Sequence, residues 1–172
     1  MIEKPKWAKN THPKIDESLP GFLNRFAREN GLTSRKQMMG ELDLPLSLYL
    51  SPTEVESLAQ QIGIDSNILQ DLNWSDKPTT AVRRRSMLRA KVEAICPPCL
   101  KESPHSRQLW SHRMATCCNL HGNRLIDTCS TCGQPISRDR WHPSYCECGA
   151  DLRKLNTTKA TNGEKIFSSL LL

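Results

Sequence analysis

Cysteine residues whose spacing suits metal binding are confined to the second half of the chain. All eight cysteines of the 172-residue sequence lie at or after position 96. Two thiolates, or a thiolate and an imidazole, can bind one zinc ion from a single tight turn, and two such pairs complete a tetrahedral shell. Four pairs follow one another in order: Cys96 and Cys99, Cys118 and His121, Cys129 and Cys132, and Cys146 and Cys148. The spacing predicts two structural Zn²⁺ sites.

The four pairs can combine in two ways. A sequential arrangement joins the first pair with the second and the third with the fourth, whereas a cross-braced arrangement joins the first with the third and the second with the fourth. Sequential pairing closes shorter loops and is favoured for that reason. In both arrangements each metal has four protein ligands, so no coordination position stays open for a substrate. We therefore expect metals that stabilise the fold, in a protein that is not an enzyme.

Cys117 and Cys118 are adjacent, and only one of them is needed as a ligand. Cys118 has the two-residue spacer to His121, so Cys118 is the predicted ligand and Cys117 a thiol packed nearby. Residues 1–14 are polar and contain no apolar signal segment, and no stretch approaches 18 apolar residues. These features predict a cytoplasmic protein without a membrane partner, in which clustered cysteines bind metal rather than form disulfides.

Positive charge is concentrated in one segment. The formal net charge is +6, and residues 77–91 contain six basic residues and no acid. Such a segment is typical of proteins that bind a polyanion, above all nucleic acid. The predicted phosphate contacts are Arg83, Arg84, Arg85, Arg89 and Lys91. The alternative is a solvated, charged helix face.

The first half of the chain has helical periodicity with clear start signals. Ser18 precedes an apolar helical pattern that ends near Gly31, and Thr33 or Ser34 begins a second helix. Ser51 and Glu54 form a capping-box pattern around Pro52. Gly63 then separates this third helix from a fourth at 66–72, which is helix-turn-helix spacing. The fourth helix has no basic residue, which disfavours reading of the major groove.

These elements predict a mostly α fold with small zinc-ribbon or zinc-finger β elements. A helix-turn-helix domain comes first and two structural zinc modules follow. The predicted divisions are an extended tail at 1–16, a helical domain at 17–76, a basic linker or helix at 77–95, zinc fingers at 96–128 and 129–154, and a tail at 155–172 that docks or frays. Trp7 is expected to anchor the first tail on the protein's own surface or on a partner. Trp110 and Trp141 are expected to pack on the zinc cores.

Two groups of motifs resemble the TniQ family of bacterial transposon proteins. The segment ESLPGFLNRFARENGL and the helix-turn-helix pattern form one group. The more specific group is C-x2-C-L, a tryptophan, C-x2-H-G and C-x2-C-G, which ends in CECGADL. The resemblance covers roughly residues 17–153, and the metal ligands that it implies are the eight residues named above. In its shortness the chain resembles the small TniQ of type V-K CRISPR-associated transposons.

The resemblance implies an adaptor in RNA-guided transposition. Such an adaptor links a CRISPR effector with its guide RNA and target DNA to the AAA+ ATPase TnsC, and so to the transposase. A small-molecule substrate is not expected. An alternative is a sequence-specific DNA-binding protein that selects or regulates targets without an RNA-guided effector. A third hypothesis, an HNH-type nuclease suggested by HGNRL, lacks a second histidine suitably placed for its metal.

Overall fold

The computed structural model describes residues 7–48, 50–73 and 87–171. Six α-helices lie in these ranges: α1 Leu19–Glu29, α2 Arg35–Glu41, α3 Pro52–Ile62, α4 Ser66–Leu72, α5 Pro97–Glu102 and α6 Asn162–Ser169. Two short 3₁₀ helices, Gln108–Ser111 and Leu152–Lys154, lie in the half of the chain that contains the cysteine clusters, the predicted metal-binding half. Within the described ranges the remaining pairing consists of isolated antiparallel β-bridges. The predicted fold class, mostly helical with small β elements around two ligand clusters, is confirmed.

The first four helices begin where the sequence predicts. Ser18 and Ser34 each accept a hydrogen bond from a backbone amide in the first turn of α1 and α2. Ser51 and Glu54 form the complete capping box of α3, which satisfies two amides that would otherwise lack partners. Gly63 has φ 71°, a left-handed conformation that glycine adopts without steric cost. The predicted helix, glycine turn and helix are therefore confirmed.

Helices α1 to α4 enclose one apolar core. Phe22, Phe26, Leu58 and Leu69 are fully buried in it, and burial of each such side chain stabilises the fold by roughly 1.5–3 kcal/mol. Trp7 covers one side of this core, with its ring edge-on to Phe26 at 5.5 Å and its Nε1 donating to the carbonyl of Gln61. Trp7 thus anchors on the protein's own surface.

A second apolar core is built around the cysteine clusters. It contains Ile95, Trp110, Ile136 and Leu152 together with cysteines of both clusters. Trp110 packs here as predicted. The same prediction for Trp141 is wrong, because its side chain is 53% exposed. The neighbouring residue Arg140 occupies the buried position instead, where its guanidinium pairs with Glu93 at 2.6 Å.

Polar contacts join the helical domain to the metal-binding half. Arg35 at the start of α2 pairs with Asp139 at 2.7 Å. Two α1 side chains, Asn24 and Arg28, donate to the backbone carbonyls of Arg138 and Trp141. Helix α1 also approaches residue 106 closely at Gly21, where an added Cβ would lie 2.6 Å from the Cβ of Ser106. Hydrogen bonds and one close backbone approach therefore hold the two halves together.

The segment at 155–171, for which the sequence left docking and fraying open, contains a helix that packs on the first cluster's turn. Helix α6 starts with a capping box at Thr161 and Glu164. Ser168 is the buried residue of this helix, and its Oγ accepts a hydrogen bond from the backbone amide of Cys117. Residues 88–95 likewise form β-bridges to both metal-binding modules, at Ile126 and Ser137 among others. The domain boundaries derived from the sequence stay predictions.

Candidate metal centres

The first cluster brings together Cys96, Cys99, Cys118 and His121. Cys96 is the N-cap of α5 and Cys99 lies in its first turn, while Cys118 and His121 occupy a tight turn closed by the bond from the Cys118 amide to the Asn123 carbonyl. The Sγ atoms of Cys99 and Cys118 are 3.4 Å apart, and His121 Nδ1 is 3.2 Å from the Cys99 sulfur. A tetrahedral zinc with Zn–S bonds of about 2.3 Å requires S···S edges of about 3.8 Å. These two distances are shorter than that edge, so the donors would move apart slightly around a zinc ion, and three sulfurs with one imidazole nitrogen are a donor set that zinc takes.

His121 is oriented by a carboxylate outside the cluster. Its Nε2 lies 2.8 Å from Oε1 of Glu102 in the last turn of α5, so its Nδ1 is directed to the three sulfurs. Burial acts to lower the pKa of His121, but hydrogen bonds to Glu102 and Cys118 raise it overall. A carboxylate in this position fixes the ring of a metal-binding histidine and increases the basicity of the ligating nitrogen.

The three thiols of the first cluster have different pKa values. The hydrogen bond with Cys118, together with burial, raises the pKa of Cys96 to about 11. The same partner raises the pKa of Cys99. Hydrogen bonds from Cys96 and Cys99 lower the pKa of Cys118 far below that of an ordinary thiol. Cys118 is therefore the thiolate toward which the other two thiols donate, and a metal ion would compete with their protons.

The second cluster contains Cys129, Cys132, Cys146 and Cys148. Its two halves are similar turns, each closed by a glycine with positive φ, Gly133 at 70° and Gly149 at 87°. Sulfur distances are 3.9 Å for Cys129–Cys148 and 3.8 Å for Cys132–Cys146. These lengths match the edges of a zinc tetrahedron.

Acidity in the second cluster centres on Cys129. Burial acts to raise the pKa of Cys129, but hydrogen bonds from the backbone amides of Cys132 and Thr131 lower it to about 6. Burial raises the pKa of Cys146 to about 12. One thiolate is therefore stabilised by backbone amides, which are donors typical of a tight cysteine turn.

The clusters combine the four pairs in sequential order, because the first pair meets the second and the third meets the fourth. Cys117 lies outside both clusters. It is buried, and its sulfur donates to the carbonyl of Glu164 in α6. Every predicted ligand is thus brought to a cluster, and Cys117 to the position of a packed thiol. Their roles as zinc ligands stay predictions.

Two of the five predicted phosphate contacts lie in the described part of the chain, and they differ from each other. Arg89 is half-buried and donates to Asp127 and to the carbonyls of His112, Arg113 and Ala115. Lys91 is exposed. The predicted contacts Arg83, Arg84 and Arg85 lie outside the described residues. Arg89 therefore braces the protein, and Lys91 has the freer side chain.

Lys91 lines a shallow groove with a residue that the sequence analysis missed. Arg113 is exposed at this groove, opposite Thr128 and Pro135, and its Nε donates to the carbonyl of Leu88. Arg113 is 22 residues from Lys91 in the chain, and a charge count over one segment does not connect them. The β-bridge between Leu88 and His112 brings them together.

A small cavity lies where α1 meets the second module. It is bounded by Glu17, Arg25, Arg138 and Arg140 among others, and its volume is about 10 Å³. This volume holds about one water molecule. The cavity is therefore too small for a substrate. Glu17 and Arg25 form a buried ion pair at 2.7 Å beside it.

Comparisons with known proteins identify one family. A family model described as TniQ matches residues 10–125, which is more than half of the 172-residue chain. No curated protein matches the sequence. Among the helices of the described ranges, none has the length and apolar character needed to cross a membrane.

Proposed function

The chain belongs to the TniQ family of transposition proteins, and from that premise we propose that it is a non-catalytic adaptor in RNA-guided DNA transposition. It links a target-recognition complex, made of a CRISPR effector, its guide RNA and target DNA, to the AAA+ regulator TnsC and so to the transposase. Two Zn²⁺ ions hold its second half. The bacterial cytoplasm is its place of action.

The charge of the helix-turn-helix unit is the observation that carries this proposal. Residues 51–73, which contain α3 and α4, include four acids and no lysine or arginine. The exposed side of α4 presents Asn67, Ile68 and Asp71. A recognition helix must approach phosphates closely, and negative charge opposes that approach. An acidic surface with an exposed isoleucine suits a basic protein partner better, and we assign it to the ATPase.

Nucleic acid is assigned to a different surface. Lys91, the last residue of the basic segment 77–91, lines the groove together with Arg113. Positive charge on one face and negative charge on the helix-turn-helix unit would allow the protein to contact phosphate and the ATPase together. This separation supports a bridging role.

A sequence-specific DNA-binding protein is the second candidate, because α3 and α4 have the helix-turn-helix arrangement itself. It requires that Asn67 and Gln70 read base edges despite the surrounding acids. Binding to duplex DNA would then depend on these two side chains and on DNA sequence.

Co-sedimentation separates the two candidates. The cognate ATPase is assembled on DNA with ATP, and the zinc-loaded protein is added to this assembly or to naked DNA at the same salt concentration. We expect sedimentation with the ATPase assembly and little with naked DNA. Tight, sequence-dependent binding to naked DNA without the ATPase would contradict the adaptor role.

A charge-reversal variant locates the ATPase contact. Glu56 is exposed on α3. Glu56→Lys should weaken binding in the co-sedimentation assay by roughly ten-fold, because like charges that face each other across an interface lower the affinity. Asn162→Lys combined with Ser169→Lys adds the same charge on exposed positions of α6 and should leave co-sedimentation unchanged. Equal effects of both variants would show non-specific charge dependence.

Salt dependence tests the nucleic-acid contact. Replacing Arg83, Arg84 and Arg85 with alanine should reduce the slope of log affinity against log salt by about two to three, one unit for each phosphate that the variant no longer neutralises. The fold should persist, as measured by circular dichroism. An unchanged slope would identify these arginines as a solvated face. Arg89→Ala, in contrast, should lower thermal stability because its guanidinium braces four groups.

A further inference from the structure

A loop of the second module carries exposed aromatic rings beside arginines. Trp141 is 53% exposed and Tyr145 is 41% exposed. The bond from the Tyr145 amide to the His142 carbonyl closes a turn between them. The His142 and Tyr145 ring centroids are 5.3 Å apart. We call Arg28, Trp141, His142, Tyr145 and Arg153 the aromatic surface.

The backbone beneath these rings is held in place. Arg28 on α1 donates through Nη1 to the Trp141 carbonyl at 3.0 Å. Arg140, the residue before Trp141, is buried and donates to the carbonyls of Ser137 and Pro143. Trp141 is therefore presented on a fixed loop with its indole in water, where its apolar area stays unburied at a cost in free energy. A partner that covers the ring would recover that cost.

Arginines give the aromatic surface a positive field. The guanidinium of Arg153 lies 5.4 Å from the Tyr145 ring centroid, and its Nη2 donates to the Tyr145 hydroxyl. Burial lowers the pKa of His142, and the positive charges of Arg28, Arg153 and Arg140 lower it further. The positive potential that disfavours protonation of the His142 ring also attracts a phosphate group to this surface.

Nearby acids weaken this field only in part. Asp139 is paired with Arg35, whereas Asp151 pairs with Arg153 itself and offsets the charge of that guanidinium. Glu147 is exposed, and it lies between two cysteines of the second cluster. The guanidinium of Arg28 donates to a backbone carbonyl oxygen. A carbonyl carries no net charge, so this hydrogen bond does not offset the positive charge of Arg28.

The composition of the loop distinguishes between partners. Residues 138–148, RDRWHPSYCEC, contain no leucine, isoleucine, valine or methionine. The fully buried centre of a protein interface is rich in apolar area around its aromatic residues. Flat rings flanked by guanidinium groups, without aliphatic neighbours, are instead typical of surfaces that stack unpaired bases.

We propose that Trp141 and Tyr145 stack unpaired bases of a single-stranded nucleic acid segment, while Arg28 attracts its phosphates. This inference deepens the proposed function and rests on it, because it adds a base-stacking surface to the adaptor. The surface is separate from the groove at Lys91. It takes single-stranded RNA or DNA, since both supply stacking faces and phosphates.

Anisotropy of labelled oligonucleotides tests the proposal on the full, zinc-loaded chain. The probes are a 20-nucleotide oligo-dT, a 20-nucleotide oligo-U and a duplex of the same length. Trp141→Ala should raise the Kd for at least one single strand by roughly ten-fold, the effect expected when one stacked base no longer has a ring beneath it. Its Kd for the duplex should change less than two-fold. The larger effect among oligo-dT and oligo-U identifies the natural strand as DNA or RNA.

Two further variants distinguish stacking from a general loss of surface. Trp141→Phe retains an aromatic face and should bind single strands within about three-fold of the original protein. Phe167→Ala removes a comparably exposed ring, 40% accessible, from α6, and should have no effect. Thermal unfolding should be unchanged for Trp141→Ala because its side chain is half in water.

Three results would overturn the proposal. They are unchanged single-strand binding by Trp141→Ala, an equal loss for single strand and duplex, and a loss for Trp141→Phe as large as for alanine. Unchanged single-strand binding by Trp141→Ala would favour a protein as the partner of this loop. Co-sedimentation of Trp141→Ala with the ATPase assembly is measured in parallel. Failure of the adaptor role would appear there in the unmodified protein, whereas failure of base stacking would appear only in the anisotropy series.

Discussion

The two candidate metal clusters have similar ligand spacings but differ in how completely the protein covers them. In the first cluster all three cysteines are buried, and Glu102 supports the histidine. Helix α6 packs on the turn that contains Cys118. In the second cluster Cys148 is exposed and Cys132 half-buried. The two candidate sites therefore offer the same number of donors in surroundings that differ, and we expect the surroundings to determine how strongly folding depends on each metal and how easily the metal leaves.

The largest effect is expected from a ligand of the first cluster. Cys118→Ser should release metal and unfold the second half, which contains both clusters, because structural zinc contributes on the order of 10 kcal/mol, as much as the whole stability of a typical domain. Elemental analysis and circular dichroism measure both outcomes. Cys117→Ser is the matched control and should retain two zincs, since a serine hydroxyl can also donate to the Glu164 carbonyl. If Cys117→Ser lost zinc and Cys118→Ser retained it, Cys117 would be the ligand and Cys118 the packed thiol.

A smaller effect is expected from the exposed ligand of the second cluster. Cys148→Ser should reduce the zinc content to one per chain while the core around Trp110 persists, because the first cluster stays complete. Tryptophan emission reports this core, and a blue-shifted component should be retained. Loss of both zincs from Cys148→Ser would show that the clusters fold as one unit.

Chelator access should distinguish the clusters in the unmodified protein. A chromophoric chelator should remove zinc in two phases, the faster from the second cluster because Cys148 is exposed and Cys132 half-buried. Stopped-flow absorbance measures the two rates. Only the slow phase should remain in Cys148→Ser, and survival of the fast phase in that variant would reverse the assignment.

The smallest effect is expected from the carboxylate that orients the histidine. Glu102→Ala should weaken zinc binding at the first cluster by about ten-fold, the lower end of the range for such partners. Glu102→Gln, which keeps an acceptor for the Nε2 proton, should lose less. Competition against a chelator of known affinity gives both values. Equal losses in both variants would mean that charge, rather than orientation, is what Glu102 provides.

Local signals made much of this structure predictable. The two residues of a predicted ligand pair, such as Cys96 and Cys99, lie within one turn, so their spacing alone predicts that their side chains meet. The capping box of Ser51 and Glu54 was predictable in the same way, because both residues lie in the first turn of the helix. The turn at Gly63 was predictable for the same reason. The family resemblance added the biological role, which no spacing rule supplies.

Contacts between distant parts of the chain were not predictable from these signals. Arg35 and Asp139 are 104 residues apart, and neither has a sequence environment that marks it as a bridge. Trp110 and Trp141 both lie between ligand pairs, yet one is buried and the other exposed. The difference depends on Arg140, which occupies the buried position beside Glu93. Such outcomes are decided by tertiary packing and not by local pattern.

Sequential pairing of the ligands has a consequence for biosynthesis. The first ligand set is complete once His121 has been translated, before Cys129 exists. Domains generally fold as units in chain order during synthesis, at about 5–20 residues per second. A nascent chain can therefore load its first zinc and close that module before the second set of thiols appears. The first metal ion then meets the donors of its own set before those of the second set appear, and the order of translation limits exchange of ligands between the two sets.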